Sequence, residues 1–282
     1  MGKKKSFIAA GCLAAFGFGA TAVSAQDATG EVSLWLQGNV PSFTLDDGSA
    51  CDAGGTEFCA FTGGVGGYAA AEVGLANGWT LLGDLTLDFH IESDTGTRDE
   101  HALYGGVGIH MIDTSAPTTW GMFGVLGFGD AASDNDSAPL FLGLGAEALL
   151  NDVWVQGGGL LSVSDQGDGI ENLLFVRAGK DFALANGSLS TSAALGIGDF
   201  EEGSGVDRGQ WVQLSVRYDA PLTDNINWFT AYQGDLVNVV NNDRTLMHTV
   251  QLGISIPLGG GTTTPFSTPN FRAPITYAGE FN

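Results

Sequence analysis

Trp79–Glu92, WTLLGDLTLDFHIE, is the stretch whose reading decides the fold. Its odd positions are Trp79, Leu81, Gly83, Leu85, Leu87, Phe89 and Ile91; its even positions are Thr80, Leu82, Asp84, Thr86, Asp88, His90 and Glu92. The first set is apolar with an aromatic at or near each end. The second is polar and carries three carboxylates. A helix would scatter both sets around its circumference, so only the two-residue period of a strand separates them. A strand of a soluble sandwich needs roughly five or six residues, whereas crossing a bilayer at a tilt takes roughly 9–11, and this stretch is long enough to cross. Its aromatic ends fall where interfacial girdles sit. The reading is one stave of a transmembrane β-barrel, with lipid on the odd face and lumen on the even face.

The same alternation recurs on both sides. Strands are predicted over Gly30–Val40, Gly63–Leu75, Trp79–Glu92, His101–Ile112, Thr119–Gly129, Leu140–Leu150, Val153–Ser164, Leu173–Phe182, Ser188–Asp199, Gln210–Tyr218, Trp228–Val240 and Thr245–Leu258. Asn77-Gly78 is a strong two-residue hairpin signal, Asn151-Asp152 is a second tight turn, and Ala185-Asn186-Gly187 repeats the Ala-Asn-Gly of the first. Connections after even strands are short; those after odd strands are longer and acidic. That pattern matches periplasmic turns and extracellular loops. The expected fold is all-β, an up-and-down antiparallel transmembrane barrel of about twelve strands, an even number as single-chain bacterial barrels have. A soluble sandwich would alternate too, but it does not explain the strand lengths or the export signal.

That signal occupies residues 1–25. Lys3, Lys4 and Lys5 are its basic region, Phe7–Ala22 its apolar region, and Val23-Ser24-Ala25 its small-residue cleavage site. The barrel then covers 26–258. Residues 259–282, rich in Pro and Thr, make no regular central strand and are expected as a periplasmic tail, or else as a segment folding back into the lumen. Cleavage removes Cys12 and leaves Cys51 and Cys59, expected as a disulfide closing a small loop in an exported protein. Two cysteines without nearby histidine supply too few ligands for a metal, so no metal or other cofactor is expected.

Composition narrows the function. The net charge is −22 with only 10 Lys and Arg, which excludes a nucleic-acid partner. The Gly-rich runs at 63–67 and 127–129 are followed by no helix and so are not phosphate loops.

The chain resembles bacterial outer-membrane β-barrel proteins of the porin-like kind. The resemblance rests on the signal through Ala25, on staves such as Trp79–Ile91 and Val212–Tyr218, and on the final strand VQLGISIPL. It covers Gly30–Leu258 and is one of architecture. Barrels of that kind end on a terminal Phe in the last strand, whereas here a tail follows Leu258. The resemblance implies a location in the bacterial outer membrane and lipid and lipopolysaccharide as surroundings. Association into a homo-oligomer is left open.

Strand parity points Glu72, Asp84, Asp88 and Glu147 inward on one side of the lumen, and Arg177 and Arg217 inward on the other. Acid facing base across a polar channel sets up a transverse field that orders water and selects polar solutes. The first expectation is therefore passive diffusion of small polar, cationic solutes past these six side chains. The alternative is a non-conducting barrel in which the charges pair and fill the lumen, leaving the acidic loops as the working surface. An outer-membrane lipid enzyme would need a Ser–His pair at the rim. No His-x-Ser occurs around His90, His101, His110 or His248, and no catalytic residue is expected.

Overall fold

The computed structural model describes residues 28–42, 62–93, 99–115, 117–129, 140–163, 169–202, 205–239, 244–262 and 264–268. They form twelve strands: β1 (Ala28–Ser42), β2 (Thr62–Gly74), β3 (Trp79–Ser93), β4 (Asp99–Asp113), β5 (Thr119–Phe128), β6 (Leu140–Leu150), β7 (Val153–Ser162), β8 (Gly169–Leu184), β9 (Gly187–Glu202), β10 (Gly205–Thr223), β11 (Ile226–Val239) and β12 (Arg244–Leu258). Each pairs antiparallel with its neighbours in sequence, and β1 pairs with β12 to close the barrel. The closing register runs from Gly30 opposite Leu258 to Ser42 opposite Leu246 without a shift. Closure leaves no strand edge unpaired, which is the condition a sheet must meet in lipid.

Turn chemistry explains the hairpins. Asn77 and Gly78 both have positive φ, 65° and 78°, the combination a tight turn between twisted strands requires. Asn151 also sits at φ 60°. The repeat at Ala185-Asn186-Gly187 is placed differently: Gly187 already pairs with Leu184 at the start of β9.

Burial alternates along the strands and separates two surfaces. On β6, Leu140, Leu142 and Leu144 are exposed while Phe141 and Glu147 are buried. The outward set on all sides is Leu, Val, Ile and Met, with Leu144 67% exposed. In water such a surface would aggregate; in a bilayer it is the favourable contact. Aromatics pair on this outer face near the short-turn end. Trp79 meets Trp120 edge-on at 5.7 Å, and Tyr218 meets Trp228 at 5.6 Å. This is where an interfacial girdle belongs. No helix among the described residues is long and apolar enough to cross a membrane, so the strands make the crossing.

The interior is not uniformly polar. Tyr104, Phe123, Val125, Phe141, Leu160, Leu173, Phe175 and Trp211 form one buried apolar cluster across β4–β10. Where the sequence suggested a wet lumen, these inward positions pack like a protein core. The polar reading came from β3, whose inward face is richer in carboxylates than that of β5, β7 or β8.

Beyond β12 the chain turns inward. Residues 264–268 lie against the inward faces of β2 and β3. Thr264, Phe266 and Thr268 are buried and contact side chains from β2 and β3. The reason is chemical: inward carboxylates need donors, and this segment supplies them. The remainder of the segment, the export signal, the Cys51–Cys59 loop and the side chains of His90 and His101 lie outside the described residues.

Candidate functional site: the barrel lumen

All six charged residues singled out by parity point into the barrel. They sort into three groups with different partners.

The first group is a buried polar cluster on β2–β7. His110 Nδ1 lies 3.1 and 3.0 Å from the two Glu147 carboxylate oxygens, and its Nε2 is 3.6 Å from Asp84 Oδ2. Gln156 on β7 donates to Glu147 Oε2 at 3.0 Å. All of these side chains are almost wholly buried. An imidazole between two carboxylates is the arrangement that compensates buried negative charge most directly. Asp84 also accepts from the Thr268 N–H at 2.6 Å and hydroxyl at 2.5 Å. Glu72 accepts the same pair of donors from Thr264, at 3.2 and 3.1 Å.

The second group lies on β1, β3 and β12. Gln37 donates to Asp88 at 3.1 Å, Trp35 donates to Gln37 at 3.2 Å, and Gln251 donates to the same Gln37 oxygen at 3.1 Å. Asp88 is two strands from Gln37. The contact is possible because the intervening strand carries Gly66, where an added Cβ would collide with the Trp35 ring and the Asp88 carboxylate. On the same side, Asp235 accepts from Trp211 at 3.0 Å, Gln213 at 2.9 Å and Gln233 at 2.7 Å.

The third group belongs to the arginines. Arg217 binds Asp219 through Nε and Nη2, at distances from 2.7 to 3.1 Å. It also reaches Glu31 on β1 at 3.4 Å, and its guanidinium sits 3.9 Å from the Phe229 ring centroid. Glu31, Arg217 and Asp219 keep side-chain exposures of 27, 30 and 17%. Arg177 is placed differently. Its guanidinium lies over Trp154 at 4.7 Å, with Nε and Nη1 buried and no hydrogen-bond partner among the described residues. Thus Arg217 already pairs with acid, while Arg177 is packed against an indole.

Sequence reasoning missed His110 as the centre of the buried cluster, along with the amide and indole donors. Of the other histidines with described side chains, His248 faces outward and meets the Tyr232 hydroxyl at 2.6 Å. Neither histidine contact is the Ser–His pair of a lipid enzyme. Among the described residues no group of three or more His, Cys, Asp and Glu could hold a metal.

A closed twelve-stranded barrel with an apolar outer band, interfacial aromatics and a charged and polar cluster in its interior is a bacterial outer-membrane β-barrel protein, and the outer membrane is where it resides. Solved structures carry the comparison further. The COG4313 outer membrane channel from Pseudomonas putida F1 superposes with a TM-score of 0.59 at 12% identity, covering 84% of this chain and 97% of that one. OpdQ from Pseudomonas aeruginosa gives 0.41 at 9% identity over 82 and 99% of the two chains. The TodX monoaromatic hydrocarbon channel gives 0.42 at 8% identity over 83 and 91%. Only the first is similar enough in shape to bear on the fold, and at that identity it bears on the fold alone. No family model and no curated protein matches the sequence.

Proposed function

We propose that the protein is a narrow outer-membrane channel for passive diffusion of small polar solutes, favouring cations. One observation carries this reading. The inward face of β9–β12 and β1 carries a run of polar side chains that is open to water at its Glu31, Arg217 and Asp219 end. From the short-turn end it presents Asp219, Arg217 and Glu31, then Ser192 and Ser215 hydroxyls 2.6 Å apart, then Gln233, Asp235 and Gln251. At its open end two carboxylates, Glu31 and Asp219, stand against the one guanidinium of Arg217, which favours positive over negative solutes. The apolar cluster, which reaches β9–β11 through Phe200, Trp211 and Val237, and the inserted segment together narrow the lumen beside these polar groups.

Single-channel recording of the mature protein across a planar bilayer with a salt gradient tests this. Small, steady, cation-selective steps are the expected result, and Arg217→Gln increases the cation preference by removing the one positive charge on the wall. Anion-selective steps, or silence from protein shown to be folded and inserted, refute the reading. The packing of Phe123, Phe141, Leu173 and Trp211 favours a second reading: a non-conducting barrel whose acidic loops meet the outside. Silence would point to it.

A further inference from the structure

Immediately after β12 come Gly259, Gly260 and Gly261, all with positive φ, at 62°, 102° and 82°. Three successive left-handed residues reverse the chain within one turn, a path that side chains would oppose. Four residues apart, Thr264 and Thr268 then repeat one gesture. Each gives both its N–H and its hydroxyl to a single inward carboxylate, Glu72 and Asp84 respectively. Between them Phe266 is buried with Ala70, Leu82, Ile112 and Trp154, and the Ser267 carbonyl accepts from Gln156 at 3.0 Å. The wall is cut to receive the segment. At Gly108 on β4 an added Cβ would overlap the Thr268 hydroxyl and crowd the Asp84 carboxylate.

We propose that this segment is a tethered plug that sets both the width and the charge selectivity of the lumen. The proposal rests on the channel reading above. The plug is held by hydrogen bonds and one aromatic side chain, and it swings on glycines, so it can leave without unpairing a strand. Docked, it occupies cross-section and turns Glu72 and Asp84 toward its own donors. Its donors occupy both carboxylates and shield them from a solute. Glu31, Arg217 and Asp219 are then the charges a solute meets. Undocked, Glu72 and Asp84 rejoin the path, which becomes wider and more strongly cation-selective.

The test compares three chains in planar bilayers under a potassium chloride gradient: the full mature chain, one ending at Leu258, and full-length Gly108→Ala, which crowds out Thr268 without shortening anything. Heat-modifiable gel mobility confirms that each barrel is folded. Truncation is expected to raise conductance severalfold and move the reversal potential toward the potassium limit. Gly108→Ala moves both in the same direction. Asp84→Asn in the truncated chain reverses part of the selectivity gained. If the folded truncated and Gly108→Ala chains match the full chain in both quantities, the plug is overturned while the channel reading stands. If the full chain is silent and the truncated chain conducts, the plug is confirmed and the resting-pore reading falls. Silence from all three overturns both. If the truncated chain does not fold, Gly108→Ala alone decides, by the same comparison with the full chain.

Discussion

Phe266→Ala asks how firmly the inserted segment is seated. The Phe266 side chain is 3% exposed, in a pocket built from β2, β3, β4 and β7. Truncating a phenylalanine at such a site costs roughly 3–5 kcal/mol, transfer and cavity together. Phe266 is no part of the barrel wall, so that cost falls on docking of residues 259–268 and leaves the strand ladders intact. At about 1.4 kcal/mol per tenfold change, docking weakens by roughly a hundredfold to a few thousandfold. Hydrogen exchange reads this directly, because the amides of Thr264 and Thr268 are protected by Glu72 and Asp84. In detergent micelles their protection should fall by about that factor, or to the unprotected limit, with β3 and β4 amides unchanged. Unchanged protection at both threonines would refute the anchoring role of Phe266. Parallel loss across β3 and β4 would show instead that segment and barrel open as one unit.

Three further predictions concern the wall and its turns. Leu144 faces lipid near the middle of β6, so Leu144→Arg should destabilise the barrel by roughly 2–4 kcal/mol in denaturant refolding into vesicles. A change within error would mean that this face does not meet hydrocarbon. Gly179→Ala puts a Cβ into the Trp154 ring and the Thr191 carbonyl and should cost about 1–3 kcal/mol in the same assay. Gly74→Ala, where a Cβ meets nothing within 4 Å, should be neutral, so equal effects would contradict the packing described. Lys180 bonds Asp152 at the β6–β7 turn and holds that carboxyl below the usual aspartate range. A depressed folded value means stability present above the unfolded value and lost as pH falls through the folded one. Because the pair is exposed, the effect on stability is small, and the measurement is NMR titration. Lys180→Met should return Asp152 to the ordinary range, and no movement would remove Lys180 as the cause.

The architecture was legible because lipid and lumen make opposite demands on alternate residues. In β3 those demands produced Leu81, Leu85 and Leu87 against Asp84 and Asp88, and no other period fits them. Twelve strands and their up-and-down order followed, with boundaries extended by a few residues where polar loop sequence continued the pairing, as at Gly205–Arg208 in β10. Interior contacts were less legible. Parity places Glu147 and His110 on the inward face but carries no information on whether they touch. That contact depends on the intervening strand presenting Gly121 opposite Glu147. The pairing of Arg217 with Glu31 needs a lumen narrow enough for one side chain to cross two strands, and strand period does not encode that width. Residues 259–268 were harder still. Their order comes from what they touch on β2, β3 and β7, and a Thr/Pro-rich stretch carries no period to announce it.

The strand that closes the barrel is also the strand from which the inserted segment departs. Residue 259 leaves β12 beside the start of β1, since Gly30 lies opposite Leu258. The carboxylates that receive the segment lie one and two strands further round, on β2 and β3. The seated segment thus ties the closing strand to the two strands beyond β1.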